Sequence, residues 1–334
     1  MGVTIQDVAD EAEVSVATVS RVLNGSDRVR EATEAKVVEA AQALGYHPNE
    51  TARNLRAQAT RMIGVLLPNM HGEFFAQITR GLDRRAREHG HHLLVSNSHT
   101  REDEARSVIR SLLGRVDGLV LLWPRLSHDF LEDLVPDDLP VVLLNTAASE
   151  SRVQTLAFDN REGAYAATRH LAEHGHERVA ILTGGAQNYD AQQRRAGYRA
   201  AVRDCGLDDD DALELEGDFT RAAGRAAVDR LLDLSPRPTA LFASNDSMAL
   251  GVLRGLHDAG LEAPDDLALV GFDDIPMAHY VAPSLTTVHA PMETLGTRAV
   301  ERLLALLDGS AAPTHQTLQT RLVRRESCGC SPAD

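Results

Sequence analysis

The spacing of apolar residues divides the chain into two parts. Up to about residue 45, apolar side chains recur every three or four positions, which is the period of short amphipathic helices. From Met62 onward, short continuous apolar runs alternate with longer amphipathic segments, which is typical of buried parallel strands and their connecting helices. The pattern therefore predicts a small all-α head followed by a large α/β core.

Residues 4–24 predict two short helices that meet at a tight turn. Thr4 caps the first helix in a capping-box pattern with Asp7, and Ser15 caps the second. The expected buried faces are Ile5, Val8, Ala9 and Ala12 in the first helix and Val16, Val19 and Leu23 in the second. The residues left facing solvent are Ala17, Thr18, Ser20 and Arg21. Small and hydroxyl side chains with one arginine suit a helix that enters a DNA major groove, so we predict a helix-turn-helix.

Two further helices are predicted before the core begins. One runs from about residue 31 to 44 and ends at Gly45. Its expected apolar positions are Val37, Val38, Ala41 and Leu44. A second, very short helix follows Pro48 and is capped by Asn49. Because so short a helix is unstable alone, we expect it to form only against a partner.

The core pattern predicts two doubly wound α/β lobes. The predicted strands are 63–67, 93–95, 118–122 and 140–144 in the first lobe, and 179–182, 240–243 and 267–270 in the second. The predicted helices are 73–89, 102–113, 163–174, 194–205, one after Phe219, 246–259 and 292–308. Two hinged lobes leave a cleft that suits one small polar ligand.

The exact residues of the N-terminal segment indicate a particular protein family, which their periodicity alone does not. Residues 4–9 and 14–25, which include Val14-Ser15, Ala17-Thr18-Val19-Ser20-Arg21 and Asn24-Gly25, resemble the signature of the lactose-repressor (LacI/GalR) family of bacterial transcription regulators. The sequence departs from the family at Glu13, where glycine is usual. A left-handed backbone at that turn costs a residue other than glycine about 1 kcal/mol.

The resemblance implies a homodimer, or a tetramer, that binds a palindromic DNA operator. It assigns contacts with bases to Val16, Ala17 and Arg21, and contacts with phosphates to Thr4, Ser15, Thr18, Ser20 and Asn24. Residues 46–56 resemble the family's hinge segment. There Tyr46, Asn49 and Arg53 contact DNA and Leu55 wedges into the minor groove. The alternative is that this segment is an ordinary linker.

The resemblance also implies domain limits and a core like that of periplasmic binding proteins. We expect a head at 1–46, a hinge and linker at 47–60, and an effector-binding and dimerisation core at 61–334. In the core, the first lobe is about 61–160 plus 291–320. The second lobe is about 161–290 plus 321–330, and the chain crosses back to the first lobe beyond Pro283.

Ligands of doubly wound lobes bind at the carboxyl ends of the strands. The expected effector-binding residues there are Phe74, Phe75, Trp123, Asn145, Asp159, Arg194, Phe219, Asn245 and Asp273, with Asp246 and Asp274 beside them. Amides, carboxylates and arginine bond sugar hydroxyls while an aromatic ring covers the apolar face of the sugar, so the effector is expected to be a carbohydrate.

The alternative is that Asp159 and Asp246 cap helices and that Phe75 belongs to the hydrophobic core. The resemblance favours Arg194, Phe219, Asn245 and Asp273, whereas Ala290 replaces a glutamine common in relatives.

Charge and cysteine content qualify this picture. The 334-residue chain has a net charge of −15, and in its first sixty residues nine acids outnumber six bases. We therefore expect weak non-specific DNA affinity with a shallow salt dependence. Three cysteines, no N-terminal apolar segment and no membrane-length apolar run indicate a reducing cytoplasm.

Several motifs are interpreted as structural. Residues 170–174 match the His-x-x-Glu-His zinc pattern, but an ordinary polar helix end is the expected reading. Cys328-Gly-Cys330 has no second ligand pair nearby in sequence, so we expect a frayed tail rather than a metal site. No nucleotide-binding or serine-hydrolase motif occurs, and no cofactor is expected.

The sequence thus favours a cytoplasmic, effector-controlled transcription regulator, more specifically a repressor. A cytosolic sugar-binding protein would share the two lobes but has no use for residues 1–56. A sugar-processing enzyme needs a nucleophile or an acid and base pair, and neither is identifiable. The sequence leaves open whether the effector loosens or tightens DNA binding.

Overall fold

The structure is a computed structural model of the chain, which falls into two compact units, Met1–Thr60 and Arg61–Asp334. It describes residues 3–23, 29–46, 60–99, 101–123, 130–131, 133–146, 153–310 and 314–330. The short helix predicted after Pro48 lies outside the described residues.

The first unit contains three described helices, α1 (Ile5–Glu11), α2 (Val16–Leu23) and α3 (Glu31–Ala43). The predicted capping box is present, because the Asp7 carboxylate accepts from the Thr4 amide at 2.7 Å and Asp7 N donates to Thr4 Oγ1 at 3.4 Å. Glu13 has a φ of 55° at the turn between α1 and α2. The left-handed turn expected at this position is therefore confirmed.

The small core of the head differs in part from the predicted one. Val8, Val19 and Val37 are fully buried, as expected. On α2 the second buried position is Val22, whereas Leu23 is only partly buried, because the helix presents Val19 and Val22 to its neighbours. Val38 was also wrongly assigned to the core of the head, since 40% of it is exposed and Ala40 takes the inward position.

The second unit consists of alternating strands and helices. Its strands are β1 (Met62–Leu67), β2 (His92–Asn97), β3 (Gly118–Leu122), β4 (Val141–Leu144), β5 (Gln154–Phe158), β6 (Val179–Thr183), β7 (Glu214–Glu216), β8 (Ala240–Ala243), β9 (Ala268–Asp273), β10 (Thr286–His289), β11 (His315–Leu318) and β12 (Arg321–Val323). Its helices are α4 (Glu73–Glu88), α5 (Glu102–Leu112), α6 (Asn160–Glu173), α7 (Tyr189–Cys205), α8 (Arg221–Asp233), α9 (Asp246–Asp258), α10 (Met277–Tyr280) and α11 (Met292–Leu307).

The strands form two six-stranded sheets, one in each lobe. The first has the order β11-β5-β4-β3-β1-β2 and the second β12-β10-β9-β8-β6-β7. All pairings are parallel except that of β10 with β12. Buried apolar strands such as β3 and β8 sit at the centre with helices packed around them, as parallel sheets require. The predicted doubly wound fold of two lobes is confirmed.

The chain returns to the first lobe after β10. Strand β10 still belongs to the second sheet, α11 packs against α4 of the first lobe, and β11 joins the first sheet before β12 returns to the second. Helices α11 and α4 approach so closely that a Cβ on Gly81 would overlap the Glu293 carbonyl. Only a glycine permits this contact between the two helices.

The C-terminal segment is ordered rather than frayed, which corrects the expectation from sequence. A 3₁₀ turn covers Glu326–Cys328, and Ser327 donates from its hydroxyl to Leu269 O at 2.7 Å. Ser327 is fully buried and Cys328 is 3% exposed. The tail is therefore fixed against the second sheet. Within the described residues, no helix is both long and apolar enough to cross a lipid bilayer.

Candidate functional site

The predicted reading helix of the head, α2, presents a polar face to solvent. Ala17 and Arg21 are exposed, whereas Val16, Thr18 and Ser20 are partly buried. Exposed Ser15 begins the helix by accepting from the Thr18 amide at 3.2 Å. This surface has the size and side chains that a major groove admits.

Of the other predicted DNA contacts, the structure describes only Thr4 and Tyr46. Thr4 is exposed at the start of α1. Tyr46 is partly buried and packs against the core of the head. Asn24, Asn49, Arg53 and Leu55 lie outside the described residues.

In the second unit, a buried polar cluster connects the two lobes. Asn145 follows β4 of the first sheet, and its side-chain amide donates to Asp190 of α7 at 3.1 Å. Asp190 also accepts from Asn160 at 2.9 Å, and Asn160 in turn accepts from Arg194 Nε at 2.8 Å. All four side chains are at least nine-tenths buried. Residues far apart in sequence thus form one continuous hydrogen-bond network.

Arg194 is the centre of this cluster. Its guanidinium donates to the Ser244 carbonyl and lies 3.3 Å from Asp273 Oδ1 as an ion pair. The same group lies 3.7 Å from the ring centroid of Phe272, which is a cation–π contact. With an exposed fraction of only 2%, this arginine needs such partners to offset its desolvation.

The two carboxylates of the cluster are hard to ionise. Burial raises the pKa of Asp190 to about 6, although Arg194 and the two asparagine amides oppose the rise. Burial also raises the pKa of Asp273 to about 7, with Arg194 opposing and the charge of Asp190 adding to the rise. Near neutral pH the cluster therefore holds one full positive charge and two carboxyl groups that titrate in the same range.

Two polar atoms of the cluster lack any partner. Among the described residues, the buried atoms without one include Asn145 Oδ1 and Ser244 Oγ, whereas Asp273 Oδ1 lacks a well-aligned hydrogen bond but is ion-paired with Arg194 at 3.3 Å. Buried polar groups are nearly always satisfied, and each orphan costs about 1 to 3 kcal/mol. Orphans concentrated in one polar cluster are groups that a bound ligand or an ordered water can satisfy.

An aromatic ring and an amide flank the cluster on the second lobe. Phe219 has a φ of 68°, is partly buried, and lies with its ring centroid 6.0 Å from the Arg194 guanidinium carbon. A Cβ on Gly184, just after β6, would overlap this ring. Asn245 donates to Phe219 O at 3.1 Å and accepts from the Met248 amide at 2.8 Å, so it positions the phenylalanine loop and caps α9.

Other predicted effector residues have structural partners. Asp159 caps α6 by accepting from the Glu162 amide at 3.2 Å, as the alternative interpretation supposed. Asp246 does not cap its helix; it is fully buried and accepts from Thr287 at 2.5 Å and from the Ile275 amide at 2.9 Å. Burial, with the nearby charge of Asp273, holds the pKa of Asp246 well above its usual range.

Asp274 is an ion-pair partner at the edge of the second lobe. Its carboxylate accepts from Arg325 at 2.6 Å and lies 2.9 Å from the His289 ring. Although burial alone would raise the pKa of Asp274, the bonds to His289 and Arg325 keep it below its ordinary value.

The aromatic residues predicted in the first lobe divide into two groups. Phe74 and Phe75 are partly buried at the start of α4 and contact each other edge to face, with centroids 5.2 Å apart. Trp123 is 6% exposed and stacks on Phe130 in a separate hydrophobic cluster that includes residues of α5. The structure therefore does not bring Trp123 together with the polar cluster.

Sequence reasoning missed three members of the cluster: Asn160, Asp190 and Ser244. Asn160 and Asp190 are the first or second residues of their helices, where polar side chains are usually read as caps. Ser244 follows the apolar run of β8 directly, so the strand-end rule pointed to it.

Comparisons with known proteins agree on the family. The description "Bacterial regulatory proteins, lacI family" matches residues 4–49, and "Periplasmic binding protein-like domain" matches residues 168–328. Catabolite control protein A of Priestia megaterium is 36% identical over 305 residues, which cover 91% of this chain and 92% of that protein.

Two solved structures extend the likeness to nearly the whole chain. A lac repressor dimer bound to operator and the anti-inducer ONPF is 30% identical with a TM-score of 0.90, covering 98% of this chain and 99% of that chain. A complex of the transcriptional regulator CelR with cellobiose is 33% identical with a TM-score of 0.74, covering 97% of this chain and 99% of that chain. These relatives are regulators rather than enzymes. The chain therefore belongs to the lacI family of bacterial regulatory proteins and is a DNA-binding transcriptional regulator with a periplasmic-binding-protein-like core.

Proposed function

We propose that this chain is a homodimeric, cytoplasmic repressor of transcription whose affinity for a palindromic operator is set by a small neutral carbohydrate bound between the lobes of its core. The observation that carries the proposal is the buried polar cluster around Arg194, with its two orphaned polar atoms. Its members come from both lobes, so a molecule that bonds them changes the contact between the lobes.

The chemistry of the cluster supports a polyhydroxyl ligand. Amide, carboxyl, hydroxyl and guanidinium groups converge there, and Phe219 offers an apolar face beside them. The single cation is already paired with Asp273 and shares the cluster with Asp190. Sugar hydroxyls both donate and accept, which matches a cluster that contains both donors and acceptors. The cellobiose bound to the related regulator is of this class.

Two adjacent arginines of α7 test the site. Arg194 is buried in the cluster, while Arg195 is partly exposed and pairs with Glu214 on the surface. In a calorimetric screen of mono- and disaccharides, we expect Arg195→Ala to bind like the unchanged protein and Arg194→Ala to lose detectable binding. Equal binding by both variants would remove Arg194 from the site.

For the head we propose that α2 reads bases through Val16, Ala17 and Arg21, with Thr4, Ser15, Thr18, Ser20 and Asn24 on phosphates. Hinge residues 47–60 would place Leu55 in the minor groove, with Tyr46, Asn49 and Arg53 beside it. A bidentate arginine contact contributes about 1 to 3 kcal/mol of base discrimination.

Arg21 and Arg30 provide a matched pair for this proposal. Both belong to the head, but only Arg21 lies on α2, whereas Arg30 precedes α3. After selection of an operator from random DNA, Arg21→Ala should weaken operator binding by about 10-fold or more and relax the preference at one base pair of each half-site. Arg30→Ala should leave that preference intact. An unchanged preference in Arg21→Ala means that α2 does not read bases in this way.

A further inference from the structure

The C-terminal Cys328-Gly-Cys330 segment meets His170 of α6 and His174, which directly follows that helix. His170 Nε2 lies 3.4 Å from Cys328 Sγ and 3.2 Å from Cys330 Sγ. His174 Nε2 lies 3.2 Å from Cys330 Sγ, and the two sulfur atoms are 2.8 Å apart. The His170 nitrogen and the two sulfurs therefore lie within 4.8 Å of one another, and the His174 nitrogen contacts one of these sulfurs. The cysteines had no second ligand pair nearby in sequence, but the fold supplies one in space.

We propose that these four side chains form a zinc site. Zn²⁺ prefers four tetrahedral nitrogen and sulfur ligands, and two cysteines with two histidines are one of its usual structural sets. The ligand atoms of His170, Cys328 and Cys330 lie within 4.8 Å of one another, and His174 supplies the fourth. In a tetrahedral zinc site, ligand atoms are about 3.3 to 3.8 Å apart. The two sulfurs must therefore separate by about 1 Å, and the His174 ring must turn toward the other three ligand atoms.

The backbone holds both ligand pairs in position. The histidines are four residues apart at the end of α6 and so share a face, with ring centroids 4.3 Å apart. Gly329 has a φ of 79° between the cysteines, a conformation that favours glycine. Beside them, the Glu326 carboxylate accepts from the Ser284 amide at 2.8 Å. Each pair is therefore anchored to a rigid element before any ion binds.

The surrounding hydrogen bonds are those that zinc ligands need. His174 Nδ1 lies 2.7 Å from the His170 carbonyl, which fixes the proton on Nδ1 and leaves the Nε2 lone pair facing Cys330. The Thr286 hydroxyl lies 3.1 Å from Cys328 Sγ, where it stabilises a thiolate. Cys328 and His170 are buried while His174 is exposed, so the ion enters from the His174 side.

Zinc at this position would fasten the C-terminal segment to α6. That helix begins with Asn160, a member of the buried polar cluster. The site is distinct from the cluster, because its ligands lie at the C-terminal end of α6 and in the tail.

Metal titration of the full-length protein tests the proposal. The protein is purified in reducing buffer without a polyhistidine tag, stripped with a chelator, and titrated with Co²⁺ and then Zn²⁺. We expect one equivalent of Co²⁺ per chain with the visible absorption of a tetrahedral thiolate complex, which Zn²⁺ then abolishes. Absence of this spectrum from the reduced protein overturns the proposal.

Single substitutions assign the ligands. Cys330→Ser and His174→Gln change the partly exposed side of the site, and each should weaken Zn²⁺ binding by more than about 100-fold. Cys205→Ser is the matched control, since Cys205 is an exposed free cysteine at the end of α7. Unchanged binding in both ligand variants, or an equal loss in the control, would refute the assignment. So would a Cys328–Cys330 disulfide, seen by intact mass in freshly purified protein that carries no metal.

Discussion

Asp273 shows how a single residue couples the cluster to pH. In the unfolded chain its carboxyl ionises near pH 4, whereas burial keeps it protonated in the folded chain up to about pH 7. Between these values the folded state binds more protons than the unfolded state. The contribution of Asp273 to stability is therefore present below pH 4 and is lost as the pH rises to 7.

Asp273→Asn removes this titration. Relative to Asp273→Asn, the unchanged protein should lose about 2 to 4 kcal/mol of unfolding free energy between pH 4 and 7. Urea denaturation at several pH values measures the difference. Asp229→Asn, at an exposed residue of α8, is the matched control substitution. A flat profile for Asp273→Asn would show that Asp273 ionises normally when folded.

Glu13 carries a backbone cost in the head. Its φ of 55° is a left-handed conformation that glycine adopts freely and other residues adopt at a cost of about 1 kcal/mol. Glu13→Gly should therefore slow amide exchange in α1 and α2 by about fivefold, as measured by hydrogen-exchange mass spectrometry of the full chain. Glu11→Gly, at the end of α1, should speed that exchange. Faster exchange in both variants would show that no strain is relieved at Glu13.

Alanine substitutions at Gly184 and Gly185, in the loop after β6, distinguish the effect of packing against Phe219 from the effect of a stiffer chain. A Cβ on Gly184 would overlap the Phe219 ring, whereas none of the neighbouring heavy atoms lies within 4 Å of a Cβ on Gly185. We expect Gly184→Ala to displace Phe219 and to weaken effector binding by about 2- to 12-fold, because one aromatic contact contributes about 0.5 to 1.5 kcal/mol. Gly185→Ala should bind normally.

Isothermal titration of both glycine variants with the effector found in the sugar screen measures this difference. Operator binding in the absence of effector should be the same for both, since the substitutions lie in the core unit. Equal effector affinity in the two variants would remove Phe219 from the ligand site.

The sequence predicts some elements better than others for a physical reason. Strands β1, β3 and β8 are continuous apolar runs, because they are buried on both faces, and their limits were predicted within a residue. Strands β5, β10 and β11 contain glutamine, threonine or histidine and were not predicted. Their polar side chains are satisfied by partners distant in sequence, such as Asp246 for Thr287.

The residues of the polar cluster were also predicted where the local sequence marks them and missed where only distant partners do. Asn145, Arg194 and Asp273 were predicted because each follows an apolar strand or matches a family segment. Asp190 was missed because its role depends on Asn145 and Asn160, which are 45 and 30 residues away in sequence. The metal ligands were interpreted separately as a helix end and a tail, since only the tertiary fold brings His170 and Cys330 together.

Under the proposed function, the core cluster controls the head through the equilibrium between arrangements of the two lobes. Besides the cluster, a hydrogen bond from the Met277 amide of α10 to Glu73 of α4 joins the lobes at 3.0 Å. The protein binds a ligand that contacts both lobes more tightly in one arrangement of the lobes than in the other. If the ligand thereby changes operator affinity by some factor, linkage requires the operator to change effector affinity by the same factor.

The most direct test is a reciprocal titration of the full-length protein. Operator binding is measured by fluorescence anisotropy with and without saturating sugar, and sugar binding by calorimetry with and without saturating operator. We predict that each ligand changes the dissociation constant of the other by the same factor, between about 5-fold and 150-fold, and that Arg194→Ala abolishes both effects. If the sugar binds at the cluster and the operator dissociation constant is unchanged, the cluster does not control DNA binding.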